Sequence, residues 1–72
     1  MITHDDKNSR KKLGEKLRVA RENLGLTQSE LAAKSGISTN YYAVIERGGG
    51  NLTVEKLQRI MKVLNIKSID AD

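Results

Sequence analysis

Asn40, Ala43, Val44 and Arg47 recur at three- and four-residue spacing. Projection at about 100° per residue places them on one side of a helix, with Thr39 at its leading edge. The chemistry open to such a face is recognition, not reaction. A carboxamide suits the paired acceptor and donor of an adenine edge, and alanine or valine methyls suit a thymine methyl. A merely solvated face would be rich in Glu and Lys. This one holds an amide, two small apolar groups and a terminal arginine, and small side chains let a helix approach another surface closely. Tyr42 and Ile45 turn the other way, toward a core, with Ser38 behind them.

Reactive chemistry finds no comparable set. The chain has no cysteine and one histidine, His4, near its start. No carboxylates cluster on one face and no nucleophile stands beside a base, so the expectation is no enzyme, no cofactor and no metal site. Gly48-Gly49-Gly50 is not a phosphate loop, because no Lys-Ser/Thr pair follows it.

The recognition face must be held by neighbouring elements. Thr27 with Glu30 three residues on is a capping box opening a short helix, whose Leu31 and Ala32 face inward. Gly36 is its left-handed stop, Ile37 plugs the turn, and Ser38 caps the next helix. Two helices joined this tightly through glycine meet steeply, as in a helix-turn-helix over about 27–48. An αα-hairpin that binds nothing is the bland alternative. Upstream, Leu13, Leu17, Ala20 and Leu24 give a first helix ending at Gly25, after which Leu26 packs ahead of Thr27. Downstream, the glycines and Asn51 form a flexible connection, and Thr53 caps a fourth helix with the stripe Leu57, Ile60, Met61 and Leu64. Its other face is basic through Lys56, Arg59 and Lys62. Ile66 and Ile69 lie in a tail too short for a confident fifth helix.

Residues 1–12 read as a polar basic arm, 13–66 as the domain and 67–72 as the tail. Thr3 with Asp6, or alternatively Ser9, is the cap available in the arm. With Ser9 as cap, Arg10, Lys11 and Lys12 fall in a first turn, where positive charge opposes the helix dipole. Contact with phosphate would offset that cost; a frayed, solvated arm is the other reading. At 72 residues and net charge +4, the chain is one small domain suited to a polyanionic partner. It has no disulfide or zinc staple, so dimerisation through the fourth helix, Ile66 and Ile69 is the remaining source of stability. No membrane-length apolar run or signal-peptide pattern is present, and the expected location is the cytoplasm.

Gln28, Leu31, Ala32, Gly36 and Ile45-Glu46-Arg47-Gly48 together resemble the helix-turn-helix of the lambda-repressor-like, or Xre-type, family. The resemblance runs from about Leu13 to about Ile66. It implies an all-α fold of four to five helices that binds double-stranded DNA sequence-specifically, as a dimeric transcriptional regulator on a pseudo-palindromic operator. Phage repressors, restriction–modification controllers and antitoxins are small relatives of this kind. It also implies a DNA-facing set of Gln28, Ser38, Thr39, Asn40, Tyr41, Ala43, Val44 and Arg47, with Gln28 on phosphate or the first base and Tyr41 reaching phosphate. Arg21 and Glu46 match an ion pair between the first and third helices. Three positions depart from the family pattern: Tyr42 at an aliphatic core position, Ser35 where a small apolar residue is common, and a glycine loop without basic side chains. A protein-interaction module, as antitoxins and bridging factors are, is the competing function.

Overall fold

The structure, a computed structural model, describes residues 7–67. Among these residues the chain forms four helices: α1 Lys7–Asn23, α2 Gln28–Ser35, α3 Thr39–Glu46 and α4 Val54–Leu64. The all-α expectation holds. Packing of α3 against α1 and α2, and of α2 against α4, encloses one core of Leu17, Leu31, Ala32, Tyr42, Ile45, Ile60 and Leu64.

Local bonding within single turns explains where three helices begin. Thr27 accepts from the Glu30 amide at 3.0 Å, while the Glu30 carboxylate accepts from the Thr27 amide at 2.8 Å. Ser38 accepts from the Tyr41 amide at 3.0 Å and Thr53 from the Lys56 amide at 3.1 Å. The helix ends share a motif too. Gly36, at φ 74°, donates to Ala33 O while Ile37 donates to Ala32 O, the Schellman arrangement that satisfies the last carbonyls. Asn65 does the same for α4 at φ 60°; asparagine is the non-glycine residue most at ease there.

Several expectations need correction. The first helix begins at Lys7, so Arg10, Lys11 and Lys12 lie on α1 and Ser9 is inside it, not at its cap. Thr3 and Asp6 lie outside the described residues. Leu24 is 52% exposed. The helix stops at Asn23 and the turn carries Leu24 out, so Leu13, Leu17, Ala20 and Arg21 make the inward row. Ile66 packs partly against its own core; Ile69 and the rest of the tail lie outside the described residues. The three glycines are not a loose tether. Gly48 closes α3, and a Cβ added there would lie 2.8 Å from Lys11 Cγ.

A determinant not recognised in the sequence is Gly14. A Cβ there would meet Ile45 O at 2.6 Å and the Glu46 carbonyl carbon at 2.8 Å, and would press hardest on Glu46 O. Bare glycine lets α1 lie against the last turn of α3. An isolated glycine inside a helical pattern is the signal that was available.

The same junction holds a buried ion pair. Arg21 Nε donates to Glu46 Oε2 at 2.6 Å and Nη2 to Oε1 at 3.2 Å, while Nη1 donates to Leu26 O at 2.8 Å. The two side chains are 10% and 4% exposed. Gln28 Nε2 donates to Glu46 Oε1 at 2.9 Å, which joins the start of α2 to the end of α3. Burial pushes the Glu46 carboxyl up, but hydrogen bonds from Arg21 and Gln28, the nearby Tyr42 hydroxyl dipole and the Arg21 charge outweigh it and hold the group below its ordinary value. Burial pushes the Tyr42 hydroxyl up, with Glu46 adding to the shift. That hydroxyl lies beside the pair without a hydrogen bond of standard geometry.

Gly14→Ala gains about 1 kcal/mol of helix propensity but forces two backbones apart, at roughly 1–3 kcal/mol or more. Net destabilisation is expected in thermal unfolding, and a stabilised variant would show that the helices do not touch so closely. Arg21→Ala or Glu46→Ala leaves a buried charge unpaired and should cost roughly 3–5 kcal/mol by urea midpoints; a loss under about 1 kcal/mol would indicate a pair of surface worth. Because the folded-state value of Glu46 is depressed, its contribution is present above the ordinary glutamate value of about 4.3. It is lost as pH falls from there through the lower folded value, where the unfolded chain holds a proton and the native one does not. Glu46→Gln should flatten that part of the stability–pH curve.

Candidate nucleic-acid interface

The outer face of α3 is organised by its two ends. Ser38 fixes the first turn through its cap, so its hydroxyl is already engaged. Thr39 and Asn40 follow and are exposed; Ala43 and Val44 are half-buried; Arg47, at the helix end, is exposed. Tyr42 and Ile45 are buried on the opposite side, as the helical projection requires. The exposed row thus keeps one carboxamide, one hydroxyl, small apolar groups and a guanidinium.

Two side chains of the expected set are more constrained than their spacing suggests. The Tyr41 hydroxyl donates to Asn51 O at 2.7 Å, and Lys56 Nζ stands over its ring, 5.0 Å from the centroid. Tyr41 therefore clips the loop before α4 to α3, leaving its oxygen lone pairs to accept, whereas a phosphate contact would call on the donor. Val44 is partly roofed by the glycine loop: a Cβ on Gly49 or Gly50 would stand 3.2 Å from Val44 Cγ1. Glycine at these positions keeps that loop low. Gln28 is half-buried, with one amide N–H on Glu46, which leaves its carbonyl and second N–H. The roles of Glu46 as orienter of Gln28 and of Lys56 as partner of Tyr41 were not legible in sequence. Each pair bridges separate elements, so no spacing announces it.

Charge is concentrated beside this face. Arg10, Lys11 and Arg47 surround a cleft of about 360 Å³ floored by Val44, Gly48 and Gly49. Lys12, exposed, continues the basic surface with Lys11 and Lys16. None of Arg10, Lys11, Lys12 or Arg47 has a carboxylate partner among the described residues. Among the described residues, the first turn of α1 holds no acidic residue. Unpaired cations at the positive end of a helix are unfavourable alone and favourable against a polyanion. No group of three or more metal-ligating side chains occurs among the described residues, and none of the helices is long and apolar enough to cross a membrane.

The arrangement has counterparts among known proteins. A family model described as helix-turn-helix matches residues 17–71. An uncharacterised HTH-type transcriptional regulator, y4dJ, of Sinorhizobium fredii (strain NBRC 101917 / NGR234) is 36% identical over 61 residues, which is 85% of this chain and 79% of that protein. The restriction–modification controller protein C.AhdI from Aeromonas hydrophila superposes with a TM-score of 0.77 at 33% identity, over 79% of this chain and 86% of its own. The clp gene regulator ClgR from C. glutamicum gives 0.76 at 34% identity, over 82% and 77%. With α2 and α3 forming the motif and most of its length matched, the chain belongs to the lambda-repressor-like, Xre-type helix-turn-helix family of transcriptional regulators.

Proposed function

We propose that this protein binds double-stranded DNA sequence-specifically as a cytoplasmic, dimeric transcriptional regulator, with no catalytic role, on a pseudo-palindromic operator. The observation that carries the reading is the exposed, uncharged face of α3 flanked by unpaired cations of α1 and Arg47. On this reading α3 lies in the major groove and α2 crosses the backbone. Asn40 pairs with an adenine edge, Thr39 and Ala43 lie against neighbouring bases, and the uncovered part of Val44 meets a thymine methyl. Ser38 contributes through its cap, presenting the first turn of α3. Gln28, oriented by Glu46, turns its free N–H to phosphate at the start of α2. Tyr41 contributes by holding the α3–α4 loop and by its edge. Arg10, Lys11, Lys12 and Arg47 supply sequence-independent attraction to the backbone.

A dimer follows from size and symmetry. A domain this small gains stability by burying a further apolar surface, and a two-fold axis matches two half-sites about one helical turn apart. The exposed faces of α4 and the apolar Val19, Leu24 and Val54 are the surfaces available for it.

Selection of bound sites from random duplexes, followed by a matrix of variants against single-base changes, tests the readout. Asn40→Ala should lose discrimination at one base position per half-site, by about 1–3 kcal/mol. Val44→Ala should cost less. Lys11→Ala or Lys12→Ala should weaken all sequences alike and lower the salt slope by about one unit. Uniform weakening by Asn40→Ala would make it a backbone contact and move the reading face elsewhere. Sedimentation at micromolar concentration with and without the duplex tests assembly; a monomer on a single non-palindromic site in both would defeat the dimer.

A further inference from the structure

A second positive surface is not used by the DNA contacts of this reading. A cleft of about 620 Å³ opens between the C-terminal ends of α2 and α4, lined by Lys34, Ser35, Gly36, Arg59, Lys62 and Val63. Arg59 reaches across it: its Nη1 stands 3.6 Å from where a Cβ on Gly36 would be. The only carboxylate bonded to these cations among the described residues is the exposed Glu55, on Arg59 Nη2 at 3.0 Å; Lys34 and Lys62 have none. Three cations lining one cleft make a place suited to a carboxylate-bearing anion.

The cleft is separate from the DNA-facing surface. No residue of α3 lines it. Along α4, the residues beside the glycine loop are Thr53, Val54 and Leu57. Lys62 stands eight residues beyond Val54, about 12 Å along the helix at its usual rise. Val63 adds an apolar contact in the cleft, which a protein segment uses and a phosphodiester backbone does not.

We propose that this cleft docks an acidic segment of a partner protein while α3 is on DNA, its carboxylates taken by Lys34, Arg59 and Lys62. Simultaneous occupancy rests on the DNA-binding reading; the docking itself does not. The probe is a fluorescently labelled ten-residue peptide of glutamate and leucine, followed by anisotropy with the free protein and with the protein saturated by its selected duplex. The peptide should bind both forms with affinities within about twofold. Lys34→Glu/Lys62→Glu should weaken it at least about tenfold, as loss and reversal of complementary charge predicts, with urea midpoint and DNA affinity unchanged. Lys16→Glu, on α1, should have little effect. Equal loss with Lys16→Glu would reduce the contact to general charge attraction and overturn the proposal. Displacement of the peptide by duplex, or a lowered DNA salt slope in the double variant, would make the cleft a DNA contact instead. A dimer dissociated by the double variant in sedimentation would make its occupant a second copy of this chain. Failure of every duplex to bind, with the peptide still bound, would remove the DNA reading and leave the docking site standing.

Discussion

A carboxylate with almost no solvent contact must be met by donors, and the neighbourhood of Glu46 is arranged to supply them. Arg21 comes from α1, Gln28 from the start of α2, and Leu26 holds the far side of the guanidinium. A buried pair of this kind adds little net stability over an apolar substitute, since desolvating both ions costs about what their attraction returns. Its effect lies in geometry. Only one relative placement of α1, α2 and α3 brings both guanidinium nitrogens and the Gln28 amide to one carboxylate, and a rotation or slip of α3 leaves a charge unpaired. The missing side chain of Gly14 makes the placement possible, because with any Cβ there α1 could not reach the carbonyls of Ile45 and Glu46.

The parts of this architecture that were legible in sequence are those that bond within a turn. Thr27 with Glu30, Ser38 and Thr53 lie three residues from their partners, so spacing states the interaction directly. Gly36 announces itself because a left-handed residue is needed where the chain reverses. The stripe of α4 was readable for the same reason: its period is local. Leu24 was misread because periodicity does not say where a helix stops, and one residue past the end rotates out of the pattern. Gly14, the Tyr41–Asn51 bond, Lys56 over Tyr41 and the loop above Val44 depend on which surfaces meet after folding. The Arg21–Glu46 pair, equally non-local, was readable only through family resemblance; 25 residues separate its members.

Charge divides the molecule in a way composition cannot express. A net charge of +4 is compatible with cations scattered evenly. In the folded chain the later part of α1 answers its own charge, Arg18 bonding both Glu15 and Glu22, while Arg10, Lys11, Lys12 and Arg47 have no carboxylate partner among the described residues. Where α2 and α4 end, Lys34 and Lys62 likewise have none among the described residues, beside an Arg59 that Glu55 holds. Cations paired within their own helix make little net field, so the positive surface of the domain is concentrated at these two places.

On the proposed function, the outer face of α3 places the tightest demand on the fold. An eight-residue helix is too short to persist alone in water. Base-edge contacts tolerate displacement of only about half an ångström from productive geometry. Here α3 is held by the Ser38 cap at one end, by Glu46 and the Gly48 stop at the other, and by Tyr42 and Ile45 along its inner side. Gln28 donates to the same carboxylate that orients α3, so the start of α2 and the end of α3 are referenced to one atom, Glu46 Oε1. A substitution that loosens the buried pair therefore also releases the angle between the two helices of the motif, and shifts the outer face of α3 without touching a residue on it.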